Sequence, residues 1–163
     1  MSLLHVARSW ALVTTLLAGL VGCATPPPSA PQNDFWSGRL ALNVAAEPPQ
    51  SMSAAFELRG NAREGELALF SPLGQIMAVA RWQPEGATLQ QGERTFVYAH
   101  MDELTEQLTG TALPLPALFQ WLRGMASEVP GWSADLSGHG DGRILAQRLT
   151  PLPRAELRIR LQP

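Results

Sequence analysis

Three histidines, one cysteine and 14 carboxylates are the side chains from which this 163-residue chain could assemble a catalytic or metal site, and their spacing argues against both. His5, His100 and His139 stand far apart, and none lies near Cys23 at the short spacing of a zinc site. His100 and Asp102 flank the point where a strand pattern gives way to a helix pattern, and there Asp102 reads more simply as a helix N-terminal residue than as a partner in acid–base work. His139 lies in Ser-Gly-His-Gly-Asp-Gly, which has neither the lysine nor the spacing of a phosphate-binding loop and reads as a solvated turn. The Gly-x-Ser-x-Gly elbow and the His-Glu-x-x-His helix are absent from the sequence. Neither an enzyme nor a resident metal or cofactor is expected.

Two residues offer chemistry of another kind. A thiolate is the side chain best suited to take a diacylglyceryl group by displacement, and the lone Cys23 closes Leu20-Val21-Gly22-Cys23, which resembles the bacterial lipobox. Residues 1–22 before it have the layout of a lipoprotein signal peptide: His5 and Arg8, then an apolar stretch from Trp10 to Val21. That stretch is short of the roughly 20 residues a helix needs to cross a bilayer. Cys23 is then the lipidated first residue of the mature chain, and two or more acyl chains, at ~0.8 kcal/mol per buried CH₂, hold it stably. Residues 23–34 are a proline-rich tether, and Ala24 stands where bacterial lipoproteins kept in the inner membrane commonly carry aspartate, which by that resemblance favours export to the outer membrane. The second residue is Leu73, set between Pro72 and Gly74 in a turn. It either folds back onto its neighbours or stays exposed and dips into a membrane or partner, where burial is worth roughly 1.5–3 kcal/mol.

The elements that must position such residues are mostly strands. Trp36, Leu40, Leu42 and Val44 alternate with polar or small neighbours, as do Met52, Ala54, Phe56 and Leu58, and again Leu157, Ile159 and Leu161. Further short runs at 66–70, 76–82, 87–91 and 95–99 are separated by turn residues, which implies an antiparallel meander. The period then shifts: Met101, Leu104 and Leu108 predict one helix ending at Gly110, and Leu115, Leu118, Phe119 and Leu122 predict a second, with Pro116 near its start and Gly124 at its stop. Strand patterns return at 132–136 and 143–149. The expectation is a mainly β domain over 35–163, a sheet of about eight to ten strands crossed on its apolar face by two helices. Phe56, Leu58, Leu67, Leu69, Met77, Phe96, Leu118, Phe119 and Trp121 either fill a core there or line a ligand hollow. The 12 arginines, with no lysine, are dispersed among the acids at a net charge of −2, so nucleic acid is not an expected partner.

The order of these features resembles the LolB family of outer-membrane lipoprotein receptors of Gram-negative bacteria. The resemblance rests on the lipobox at Cys23, Trp36-Ser-Gly-Arg-Leu-Ala-Leu42, Ser53-Ala-Ala-Phe56, Leu69-Phe-Ser-Pro-Leu-Gly-Gln75, the run from Leu108 to Gly124 and the closing strand Ala155–Leu161. It implies an incomplete, half-open antiparallel barrel lidded by helices, with a hydrophobic cavity between sheet and helices. Leu40, Leu42, Met52, Phe56, Leu58, Leu67, Leu69, Leu118, Trp121 and Leu122 are the candidates to line it. It further implies a lipid-anchored monomer at the outer membrane, facing the periplasm, that accepts lipoprotein cargo from a LolA-type carrier. The Pro72-Leu73-Gly74 loop would serve insertion into the inner leaflet, with cargo acyl chains as the ligand. A structural or assembly lipoprotein with a filled core is the other reading of the same sheet.

Overall fold

The computed structural model describes residues 34–163, so Cys23, the signal peptide at 1–22 and most of the tether lie outside the described residues. Alternation of apolar and polar residues produces nine strands: β1 (Asp34–Val44), β2 (Gln50–Gly60), β3 (Gly65–Phe70), β4 (Ile76–Gln83), β5 (Gly86–Gln91), β6 (Arg94–Tyr98), β7 (Trp132–Asp135), β8 (Arg143–Arg148) and β9 (Ala155–Leu161). Two helices, α1 (Met101–Thr109) and α2 (Leu115–Leu122), separate β6 from β7. All nine strands join one antiparallel sheet in the order β6-β5-β4-β3-β2-β1-β9-β8-β7. Strands consecutive in sequence are neighbours in the sheet except β6 and β7, and β9 returns to pair with β1. The sheet is not closed: β6 and β7 are its two edges, and the chain passes from one to the other only through the helices.

Register makes one face of the sheet continuously apolar. Leu42 pairs with Met52 and Leu157, Phe56 with Leu69, Leu69 with Ala78, Ala80 with Leu89, and Ile144 with Ile159. Side chains alternate between faces with a period of two, so these pairs place their apolar groups on one side. α2 is apolar almost all round and buries Leu115, Ala117, Phe119, Trp121 and Leu122 in the same core, as expected for a helix with little solvent-facing surface. α1 keeps acids in its first turn, buries Leu104 and Thr105, and packs along β5 and β6. Gly110 ends α1 in the left-handed region at φ +75°, where its N–H donates to the Glu106 carbonyl. Every paired strand and both helices contribute to this one core among the described residues.

Candidate functional site

The site is built where α2 meets the apolar sheet face. Phe119, fully buried, enters between Trp36 of β1, its ring edge-on at 5.5 Å, and Trp82 of β4 at 6.2 Å. Trp121 lies against Trp132 of β7 at 6.2 Å. Of the residues expected to line an acyl cavity, Leu42, Phe56, Leu58, Leu69, Trp121 and Leu122 are buried in this core, and Leu40, Met52, Leu67 and Leu118 are partly buried against it. All ten therefore converge, with aromatic side chains of α2 occupying the space between helix and sheet.

Two of the residues read as filling a core or lining a hollow, Met77 and Phe96, are exposed and fill no core. Met77 falls at a register shift where Leu69 pairs with Ala78 and Phe70 with Ile76, so Met77 is the extra residue of a bulge and is turned out of the packing. Phe96 sits on edge strand β6, with no further strand to cover it.

Few polar links hold α2. Arg123, its C-cap, donates from Nε to the Asp34 carboxylate at 2.8 Å and lies 5.8 Å from the centre of the Trp36 ring. His139 is not the solvated turn residue its glycine-rich setting suggests. It is half-buried, with Nε2 3.0 Å from the Leu122 carbonyl, and fills the space beside Gly124, where any Cβ would meet its ring at 2.8 Å. Inside the core two polar atoms lack a partner among the described residues: Thr111 Oγ1 and the Trp121 indole N–H. An indole N–H buried without an acceptor is an uncommon cost in a native interior.

Leu73 is 88% exposed at the tip of the β3–β4 turn. The turn is closed on itself. The Ser71 hydroxyl accepts from the backbone N–H of Leu73 and of Gln75, the Ser71 carbonyl accepts from Gly74, and Ser71 N–H donates to the Gln75 carbonyl. Gly74 has φ +78°, a conformation that disfavours any side chain. Leu73 is thus presented to solvent by an ordered frame, and of the two conformations open to it the folded-back one does not occur.

Nothing in the order of the sequence indicates what the opposite, outward face carries. β1, β9 and β8 bring Arg39, Arg160 and Arg143 into one register row, with Arg158 two residues along β9. Among the described residues no group of three or more His, Cys, Asp or Glu side chains could hold a metal ion.

Comparison with known proteins adds a separate line. Residues 35–151 match the family model described as "Outer membrane lipoprotein LolB". The chain is 31% identical to the "Outer-membrane lipoprotein LolB" of Bordetella petrii, over 93% of this chain and 90% of that one. It is 29% identical to the protein of that name from Cupriavidus metallidurans over 76% of this chain, spanning 64% of the relative, and 33% identical to that of Thiobacillus denitrificans over 71% and 66%.

Proposed function

Because the chain belongs to the LolB family of outer-membrane lipoproteins, we propose that it accepts lipoproteins from a LolA-type periplasmic carrier and inserts them into the inner leaflet of the outer membrane. The domain faces the periplasm as a monomer, anchored by lipid on Cys23. The observation that supports this most strongly is an apolar face running across the sheet beneath a helix that is itself apolar and held by few polar links. Cargo acyl chains enter between them as α2 tilts and Phe119 leaves its place between Trp36 and Trp82. Leu40, Leu42, Met52, Phe56, Leu58, Leu67, Leu69, Leu118, Trp121 and Leu122 then line the acyl path. The unpartnered Trp121 N–H gives a carbonyl of the lipid something to accept from, which favours an amphiphile over a plain hydrocarbon.

No bond is made or broken in this reading, and no nucleotide, metal or other cofactor takes part. Transfer is driven by differences in acyl-chain burial, at ~0.8 kcal/mol per CH₂, from carrier to receptor to bilayer. Leu73, with Pro72 and Gly74 shaping its turn, is the group that enters the leaflet at the delivery step. The filled space around Phe119 also suits the second reading, a structural lipoprotein with no exchangeable interior.

Residues 24–163, mixed with a carrier–lipoprotein complex and recovered by pull-down, decide between them. Passage of the lipoprotein to this chain is the expected result, together with saturable binding of a fluorescent fatty acid. Retention on a carrier that still serves another receptor, with no saturable probe binding, would overturn the receptor reading in favour of the structural one.

A further inference from the structure

The arginines, dispersed in sequence, are gathered by the sheet. Arg39 of β1, Arg160 of β9 and Arg143 of β8 stand directly opposite one another in register, and Arg158 lies beside them. They rim a depression of about 420 Å³ on the outward face, with Ala41 and Leu145 in its lining. Like charges directly opposite in a sheet repel, so this row is costly unless an anion joins it. Arg143 pairs with Asp141 at 2.8 Å and Arg158 with Glu156 at 2.7 Å. Among the described residues, Arg39 and Arg160 have no carboxylate within 4 Å. The depression's own acid, Asp135, is engaged by the Ser137 backbone N–H, which with the Ser137 hydroxyl holds its carboxyl below the ordinary value of 3.8.

A second groove on the same face shares Arg39 and Ser53 with this depression and runs to Ser71, Pro72 and Gly74, the frame of the Leu73 turn. The unpaired cations and the exposed leucine are therefore parts of one continuous surface, as a lipid interface requires: an apolar group for the acyl region and guanidinium groups for phosphate oxygens. We propose that the Arg39–Arg160–Arg143 row binds the phosphodiester of an anionic phospholipid and seats the outward face on the membrane while Leu73 enters it. This rests on the membrane role of Leu73 given above, and it adds the lipid headgroup class that the surface recognises.

The test measures partition of residues 24–163, the form used in the transfer assay above, onto vesicles of phosphatidylethanolamine, with and without phosphatidylglycerol. The expected result is tighter binding to the phosphatidylglycerol vesicles. Arg39→Gln with Arg160→Gln removes most of that gain, about 25-fold from roughly fivefold per arginine, and leaves binding to phosphatidylethanolamine alone unchanged. Both residues are exposed, so the double variant keeps or slightly raises the melting temperature as the repulsion is relieved. Arg63→Gln with Arg154→Gln makes the same change in net charge elsewhere on the surface, and an equal loss with that pair would overturn the proposal in favour of diffuse attraction. Loss of carrier binding by the Arg39 and Arg160 variant, with vesicle binding intact, would equally overturn it and assign the row to a protein partner. Leu73→Glu separates the two readings. If it leaves binding to phosphatidylethanolamine unchanged, the loop assignment fails, whereas the arginine assignment is read only from the phosphatidylglycerol increment.

Discussion

Leu73 and Trp121 carry opposite kinds of discomfort: an apolar group left in water and a polar group left in the core. Leu73→Glu removes the first. Because the side chain touches little and the turn is framed by Ser71, stability should change by no more than about 0.5 kcal/mol. Delivery of bound lipoprotein to vesicles should fall tenfold or more, since burial worth roughly 1.5–3 kcal/mol is exchanged for a carboxylate that resists the interface. Acceptance of cargo should persist, and a carrier-to-receptor assay run beside a vesicle-delivery assay reads the two steps separately. Trp121→Phe keeps the ring against Trp132 and deletes the unpartnered N–H. It should leave binding of a methyl-terminated alkane probe nearly unchanged and weaken binding of a fatty-acid ester about fivefold, at ~1 kcal/mol for one hydrogen bond. Equal losses with both probes would show that the N–H finds no acceptor in the bound state. The presence of Leu73 in a turn was legible in the sequence from Pro72 and Gly74, but its direction was not. That is decided by the Ser71 hydroxyl, whose acceptor role depends on the turn already being closed.

Strands and helices were legible nearly to the residue, because each is written as a local period. The alternation at 52–58 and the three- and four-residue spacing at 101–108 need no knowledge of distant partners. What holds α2 in place was not legible, since Arg123 and Asp34 are separated by 89 residues and meet only after β1 is laid into the sheet. The same reason hid the arginine row, whose members share a face through the β1–β9 and β8–β9 registers. Met77 and Phe96 were misplaced because a bulge and an edge are properties of pairing, not of spacing. At this scale the prediction concerns the hold on α2. Arg123→Ala deletes a half-exposed ion pair and a contact with the Trp36 face, together worth about 1 kcal/mol. Amide exchange in α2 should quicken about fivefold, with exchange in β1 and β9 unchanged. A uniform acceleration through the sheet would mean that α2 does not move as a separate element.

For the whole molecule, an open sheet with its helical segment strung between its two edges has a mode of motion that a closed barrel lacks. If acyl chains enter beneath α2, edge strands β6 and β7 should part. Spin labels at Val97 on β6 and Ser133 on β7, both exposed, report this directly: the distance between them is expected to widen when a fatty acid is added. An unchanged distance would mean that cargo is accommodated by side-chain rearrangement alone. Residues 99–131 carry the chain from one edge to the other, so they tie the two edges together as a belt. A belt of fixed length caps the girth of whatever it encloses. Lengthening it with glycine and serine in the stretch after α2 should therefore admit bulkier cargo, at the cost of a looser grip on slender chains, and shortening it should do the reverse.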